Sequence, residues 1–247
     1  MVNNVDFDFD VNARNGYLYL WIRNYMMLVN DTVARLNFNF KNKTLLDIGI
    51  GRGRAMPLYK QWGIRKVVGL DIDKNGRSYV YKQAKRLKMN IEMVIDDEKN
   101  TRLKKIPANS YDAISLINVL HMLDSSSQPL LLSEIKRILK PQGIVIILNM
   151  EKPSLFWLSR LIARRDRDFI PGRQLIALMK PFKLLSTGQS NYFYCINKIY
   201  DSFIKILGDR KGRKLLENLD NICKLLGIPG STQVFIFTKQ SGILHSP

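Results

Sequence analysis

The chain is poor in residues that staple or ligate, with two cysteines, Cys195 and Cys223, and two histidines, His121 and His245, among 247 residues. The cysteines stand far apart inside apolar helical patterns. A disulfide framework and a CxxC redox pair are therefore excluded, and both thiols are expected reduced in the core. So few sulfur and imidazole groups leave no zinc site to expect. No apolar run approaches the ~20 residues of a bilayer-spanning helix; Ile144 to Leu148 is among the longest. Met1 to Asp10 carries Asp6, Asp8 and Asp10 and no basic residue before Arg14. That is the reverse of a secretory leader, so the chain is expected in the cytoplasm. Internal repeats and low-complexity tracts are lacking as well.

What the chain has in excess is positive charge, 39 Lys+Arg against 21 Asp+Glu, for a net +18. Residues 1–150 hold 23 basic and 14 acidic side chains and residues 151–247 hold 16 and 7, so each part is +9 and the last 97 residues are the denser. Such a balance favours nucleic acid, anionic membrane surfaces or acidic substrates as partners. A hydrophobic content of 46% with 10% aromatics excludes disorder. At roughly 150 residues per domain, the length fits one large domain or a domain with an appendage.

From residue 43 to 149 short β-branched runs alternate with helical periods. Lys43–Ile48, Lys66–Asp71, Ile91–Ile95, Tyr111–Ile117 and Gly143–Asn149 read as buried strands. Arg54–Trp62, Asn75–Leu87 and Ser125–Leu139 read as helices, the last stopped by Lys140-Pro141-Gln142-Gly143. This succession predicts a doubly wound α/β domain with a mainly parallel sheet. Before it, Trp21, Tyr25 and Leu28 are spaced for one helical face, which predicts a helix against the sheet edge or a lid over a ligand. After it, Ser154–Arg165, Pro171–Met179, Asn191–Leu207 and Arg213–Leu226 read as helices, and Phe182–Thr187 and Thr232–Thr238 as strands. The chain thus divides into a helical lid at 1–40, an α/β core at 41–150, and helices at 151–247 that bind substrate and complete a seven-stranded sheet.

The most informative stretch is Asp47-Ile48-Gly49-Ile50-Gly51-Arg52-Gly53-Arg54, where a strand runs into a glycine turn and then a helix. Alternate glycines let backbone approach a ligand without a Cβ in the way. Arg54 stands where a dinucleotide fingerprint needs a third small residue, and no GKS or GKT follows, so neither pyrophosphate motif is present. Asp47 repels phosphate and suits an ammonium group. A nucleoside with an amino-acid tail fits these features.

This loop resembles the first motif of the class I S-adenosylmethionine-dependent methyltransferases, and the likeness extends over residues 43 to 150. Val67-Val68-Gly69-Leu70-Asp71 resembles the second motif, Val94-Ile95-Asp96-Asp97-Glu98 the third, Ser110 to His121 the fourth, and Glu134 to Gly143 the approach to strand five. The resemblance implies S-adenosyl-L-methionine as cofactor, with Asp71 on the ribose hydroxyls and the acid after strand three, Asp97 in alignment and Asp96 beside it, near the adenine. It also implies cofactor contacts from Asp47, Gly49, Gly51, Gly53, Ile72, Asn118 and Tyr17. Asp73 reads as a helix cap, Asp112 as a structural acid and the nine methionines as packing. Asp96 and Asp97 lack a third ligand, so no metal is expected.

Methyl transfer from a sulfonium needs chiefly a well-held acceptor. His121, at the carboxyl end of a strand, is the candidate general base for an oxygen or nitrogen acceptor. The late helices resemble the insertions of methyltransferases acting on small metabolites, natural products, glycans or lipid intermediates, which implies a small or amphipathic acceptor. Their apolar faces, rimmed by Arg160, Arg164, Arg165 and Lys205, also fit transient contact with a membrane surface. Gly63 to Asp73 is similar to messenger RNA cap methyltransferases, which keeps RNA as a second acceptor class, although Arg54-Ala55 departs from that family's Gly-Asp. A binding protein that keeps the fold without turnover is the third reading.

Overall fold

The computed structural model of the chain describes residues 17–97, 101–150, 169–190, 206–226, 230 and 232–240. The helix expected at Ser154–Arg165, most of that at Asn191–Leu207, and Cys195 and His245 lie outside these residues. Seven strands form one sheet: β1 (Thr44–Ile48), β2 (Lys66–Asp71), β3 (Asn90–Ile95), β4 (Tyr111–Ile117), β5 (Leu139–Met150), β6 (Lys183–Ser190) and β7 (Thr232–Thr238). Their order is β3-β2-β1-β4-β5-β7-β6. β1 to β5 pair in parallel, and β7 runs antiparallel between β5 and β6. The described helices are α1 (Tyr17–Ala34), α2 (Met56–Gln61), α3 (Arg77–Leu87), α4 (Thr101–Lys105), α5 (Ser127–Ile138), α6 (Gly172–Leu178) and α7 (Asp209–Leu225).

Adjacent residues of one strand face opposite sides of the sheet, and both sides are covered. Leu45 and Val67 join Met26, Val29, Met56, Tyr59 and Val80 in one apolar layer under α1, α2 and α3. Leu46 and Val68 join Leu103, Leu131, Ile135 and Leu175 in the other, under α4, α5 and α6. Double coverage is why the central strands read as unbroken β-branched runs. The edge strand β6 alternates exposed and half-buried residues instead.

In α1 the buried face is Ile22, Tyr25, Met26, Val29 and Val33, spaced for one stripe of a helix. The helix packs across β5, β6 and β7. At Gly188 of β6 a Cβ would stand 2.5 Å from Thr32 Oγ1 and 2.9 Å from Leu28 Cδ1, so the close approach of α1 needs glycine there.

The larger differences from the elements read in the sequence have structural causes. β5 begins at Leu139, because the ladder on β4 passes from Tyr111↔Leu139 to Ala113↔Ile144 around a bulge in which Gln142 has φ 60°. β6 runs on to Ser190 through its pairing with β7. α7 starts at Asp209 rather than Arg213: Gly208, at φ 76°, separates it from the preceding turn, and Gly212 donates to the Gly208 carbonyl. α4, unexpected from the sequence, fills the connection after β3.

Candidate active site

The direction of winding reverses between β1 and β4, since β2 and β3 lie to one side of β1 and β5 lies beyond β4. A crevice opens beyond the carboxyl ends of the strands at such a switch point. Here it is a cleft of about 360 Å³ lined by Asp47, Gly49, Gly51, Arg54, Asn118 and His121, together with Tyr25 and Met26 of α1. A larger hollow of about 550 Å³ lies elsewhere and includes Lys43, Asp112 and Lys140. Asp112 accepts from the Thr44 N–H and from Lys140 Nζ, both at 3.0 Å. Burial alone would raise its carboxyl, but these donors and Lys43 hold it below the usual range, as befits a structural acid. The chemistry-bearing residues gather in the smaller cleft.

Its floor is the glycine turn. Gly49, Gly51 and Gly53 all have positive φ, at 72°, 55° and 76°. Their surroundings differ. A Cβ on Gly49 would meet Val119 Cγ2 at 2.4 Å and one on Gly53 would meet Met56 Sδ at 2.6 Å, whereas one on Gly51 would meet nothing within 4 Å. Gly51 therefore borders open space in the cleft. Asp71 at the end of β2 shapes this turn: its Oδ2 accepts from the Gly51 N–H at 2.6 Å and its Oδ1 from the Asp73 N–H at 2.9 Å. Each oxygen keeps lone-pair capacity for a further donor. Asp73 in turn caps the 3-10 turn Lys74–Gly76 through the Asn75 N–H, in keeping with its capping role.

Asp47 lines the cleft yet is only 2% exposed. Ser115 Oγ donates to Asp47 Oδ1 at 2.8 Å, and the Tyr59 hydroxyl lies 2.9 Å from the same Oγ. Burial pushes the Asp47 carboxyl up to about 7; Ser115 and Tyr59 work against that rise, and Asp71 adds to it. Tyr25 is likewise buried, which raises its phenol, while Arg54 and Asn118 hydrogen-bond to its oxygen. Asn118 occupies left-handed backbone at φ 63°, and its Oδ1 is buried with no hydrogen-bond partner among the described residues. A buried, unpaired carbonyl oxygen is costly, and a donor brought to it from the cleft would relieve that cost. His121 sits in the 3-10 turn Leu120–Met122, 5% exposed, its ring stacked on Phe169 at 6.1 Å between centroids.

Of the residues expected from the sequence, the structure brings Asp47, Gly49, Gly51, Asn118 and His121 to the cleft. Gly53 and Asp71 form its scaffold. Ile72 follows Asp71 and is 59% exposed. Asp97, also exposed, accepts from the Thr101 N–H at 3.0 Å. Asp96 is committed elsewhere: its carboxylate accepts from the backbone N–H groups of Asp97, Arg102 and Leu103 and caps α4. Tyr17 begins α1, but its side chain lies outside the described residues. The sequence marks Arg54 only as a departure from two motifs, the dinucleotide fingerprint and the cap-family Gly-Asp, and gives no sign that Tyr59, Ser115 and Phe169 join the site.

A sheet of this order, with its one antiparallel strand and its glycine turn at the switch point, is the class I methyltransferase fold. Residues 46–147 match the family model described as a methyltransferase domain. No curated protein matches in sequence. Among solved structures, the PH0226 protein of Pyrococcus horikoshii OT3 is similar at TM-score 0.62 and 14% identity, over 92% of this chain and 93% of that one. A phosphoethanolamine N-methyltransferase of Haemonchus contortus, in complex with phosphomonomethylethanolamine and S-adenosylhomocysteine, gives 0.59 and 16% over 90% and 56%. A SAM-dependent methyltransferase of Archaeoglobus fulgidus gives 0.56 and 21% over 90% and 100%. At these identities the likeness establishes the fold.

Proposed function

We propose that this protein is an S-adenosyl-L-methionine-dependent methyltransferase acting on an oxygen or nitrogen of a small or amphipathic metabolite. The observation that carries the reading is the open space at Gly51, whose N–H is held by Asp71, in a cleft also lined by Asp47 and by Asn118, whose Oδ1 is unpaired among the described residues. These groups fit the cofactor: two carboxylates for hydroxyl and ammonium donors, and an amide acceptor. Bound there, the cofactor supplies a methyl group on a sulfonium, already activated for displacement. The chain then needs to hold the acceptor in line and exclude water. Met26, Ile117 and Met122 give the cleft apolar wall, and His121 is its imidazole for taking a proton from an acceptor.

Calorimetry without added metal is expected to show binding of S-adenosylmethionine and S-adenosylhomocysteine. Preference for NAD, or no binding of either adenosyl ligand, would defeat the proposal. Asp71→Ala is expected to weaken that binding by roughly 1–3 kcal/mol, the range for losing charge-assisted bonds and unpairing their partners. Unchanged affinity would remove Asp71 from the ribose site.

Acceptor class is tested by mass spectrometry of metabolite and lipid pools incubated with labelled cofactor. RNA is expected to bind weakly, without sequence preference and with a steep loss in salt, as counterion release dictates for a chain of net +18. Methyl incorporation at the cap of an RNA would overturn the small-acceptor reading.

A further inference from the structure

Asp47, Ser115 and Tyr59 come from β1, β4 and α2 and meet entirely inside the protein, at 2%, 0% and 0% exposure. With Asp47 ionised, their geometry fixes a direction. A serine hydroxyl has one proton, and Ser115 uses it on Asp47 Oδ1 at 2.8 Å. The Tyr59 hydroxyl, 2.9 Å from Ser115 Oγ, is then the donor to that oxygen. The chain runs from Tyr59 through Ser115 to a carboxylate that has no cationic partner among the described residues, although it lines the cleft.

We propose that Ser115 and Tyr59 are positioning residues that hold Asp47 as a receptor for an ammonium group in the cleft, so that cofactor binding expels a proton from Asp47 to solvent. The proposal rests on the methyltransferase reading above. A buried carboxylate served only by hydroxyls ionises reluctantly, and a cation placed against it reverses that balance. Burial pushes the free carboxyl up to about 7, and the two hydroxyls restrain the rise. Asp71 from β2 disfavours its ionisation, Tyr25 from α1 and Tyr59 are held neutral by burial, and Arg52, Arg54 and His121 line the same cleft. In the free protein Asp47 is therefore protonated below about pH 7, and an ammonium ligand must displace that proton.

The test is calorimetry of S-adenosylhomocysteine between pH 6 and 8.5, in buffers of different ionisation enthalpy, with 5′-methylthioadenosine as the ligand lacking the amino-acid tail. Wild-type protein is expected to release close to one proton at pH 6 and almost none at pH 8.5, with affinity falling about tenfold per pH unit below the midpoint. Methylthioadenosine should release none; equal release with both ligands would overturn the ammonium assignment. Ser115→Ala removes the donor to the anion and should move the midpoint up by about one to two pH units, and Tyr59→Phe, which removes the donor behind Ser115, should move it the same way by a smaller amount. Ser115→Thr keeps the hydroxyl and should restore it. Should Ser115→Ala fail to fold, Tyr59→Phe, which keeps the ring in the core, decides. A wild-type affinity independent of pH, or a Tyr59→Phe profile identical to wild type, would overturn the proposal. Failure of the wild-type protein to bind either adenosyl ligand would instead overturn the methyltransferase reading.

Discussion

Gly51→Asn is expected to lower affinity for S-adenosylhomocysteine at least 100-fold while leaving the fold in place. The hundredfold loss corresponds to about 2.7 kcal/mol, and the origin is volume. A Cβ at 51 meets no protein atom within 4 Å, so a larger side chain extends into the open cleft proposed for the ligand. Asparagine tolerates left-handed backbone better than other side chains, so at φ 55° it adds bulk with little strain. Stability is expected to change by about 1 kcal/mol or less. Gly49→Ala should behave in the opposite way, because its Cβ would collide with Val119 at 2.4 Å and push the turn away from β4. Paired melting curves and calorimetry separate the two. A Gly51→Asn variant within threefold of wild-type affinity would show that this face of the turn borders no ligand.

How much of this was legible in the sequence follows the range of the interactions concerned. The boundaries of β2 and β4 coincide with those read from pattern, since each is a buried run closed by turn residues at both ends. The glycine turn was legible for the same reason: Asp47, Gly49, Gly51 and Gly53 form one contiguous stretch, and their spacing records the backbone path directly. The hydroxyl chain behind Asp47 has no such record. Ser115 stands 68 residues from Asp47 and 56 from Tyr59, and each reads in its own element as ordinary packing. Arg54 illustrates the other failure. Judged against sequence motifs it is a mismatch, and only the fold brings Tyr25 from α1 to its guanidinium. The late helices, which carry the acceptor and membrane expectations, contribute to the described structure chiefly through α7, with Ile222, Leu225 and Leu226 exposed on it or just beyond its end.

Asp96→Ala is expected to cost roughly 2–4 kcal/mol of stability, a fall of roughly 5–15 °C in Tm for a chain of this size, and to leave affinity for S-adenosylhomocysteine within about twofold. Asp96 is 7% exposed. Its Oδ1 accepts from the N–H groups of Asp97 and Arg102, both at 2.8 Å, and its Oδ2 from that of Leu103 at 3.0 Å. A five-residue helix has too few internal bonds to persist alone, so α4 depends on what holds its ends. Asp96 serves the amino end. Arg137 of α5 serves the other, its Nη1 donating to the Ile106 carbonyl at 2.7 Å. Between them Leu103 is fully buried in the layer with Leu131 and Ile135. Removing the carboxylate deletes a cap, worth about 0.5–2 kcal/mol. It also leaves donors in and beside the core unpaired, at about 1–3 kcal/mol. Asp97→Ala, at an exposed residue whose Oδ1 accepts from the Thr101 N–H, is expected to cost under about 1 kcal/mol. The pair of third-motif acids is thereby split, with Asp96 building the connection after β3 and Asp97 left at its surface. Urea melts of both variants, with calorimetry alongside, test the division. A tenfold loss of affinity in Asp96→Ala with an unchanged melting curve would reverse it.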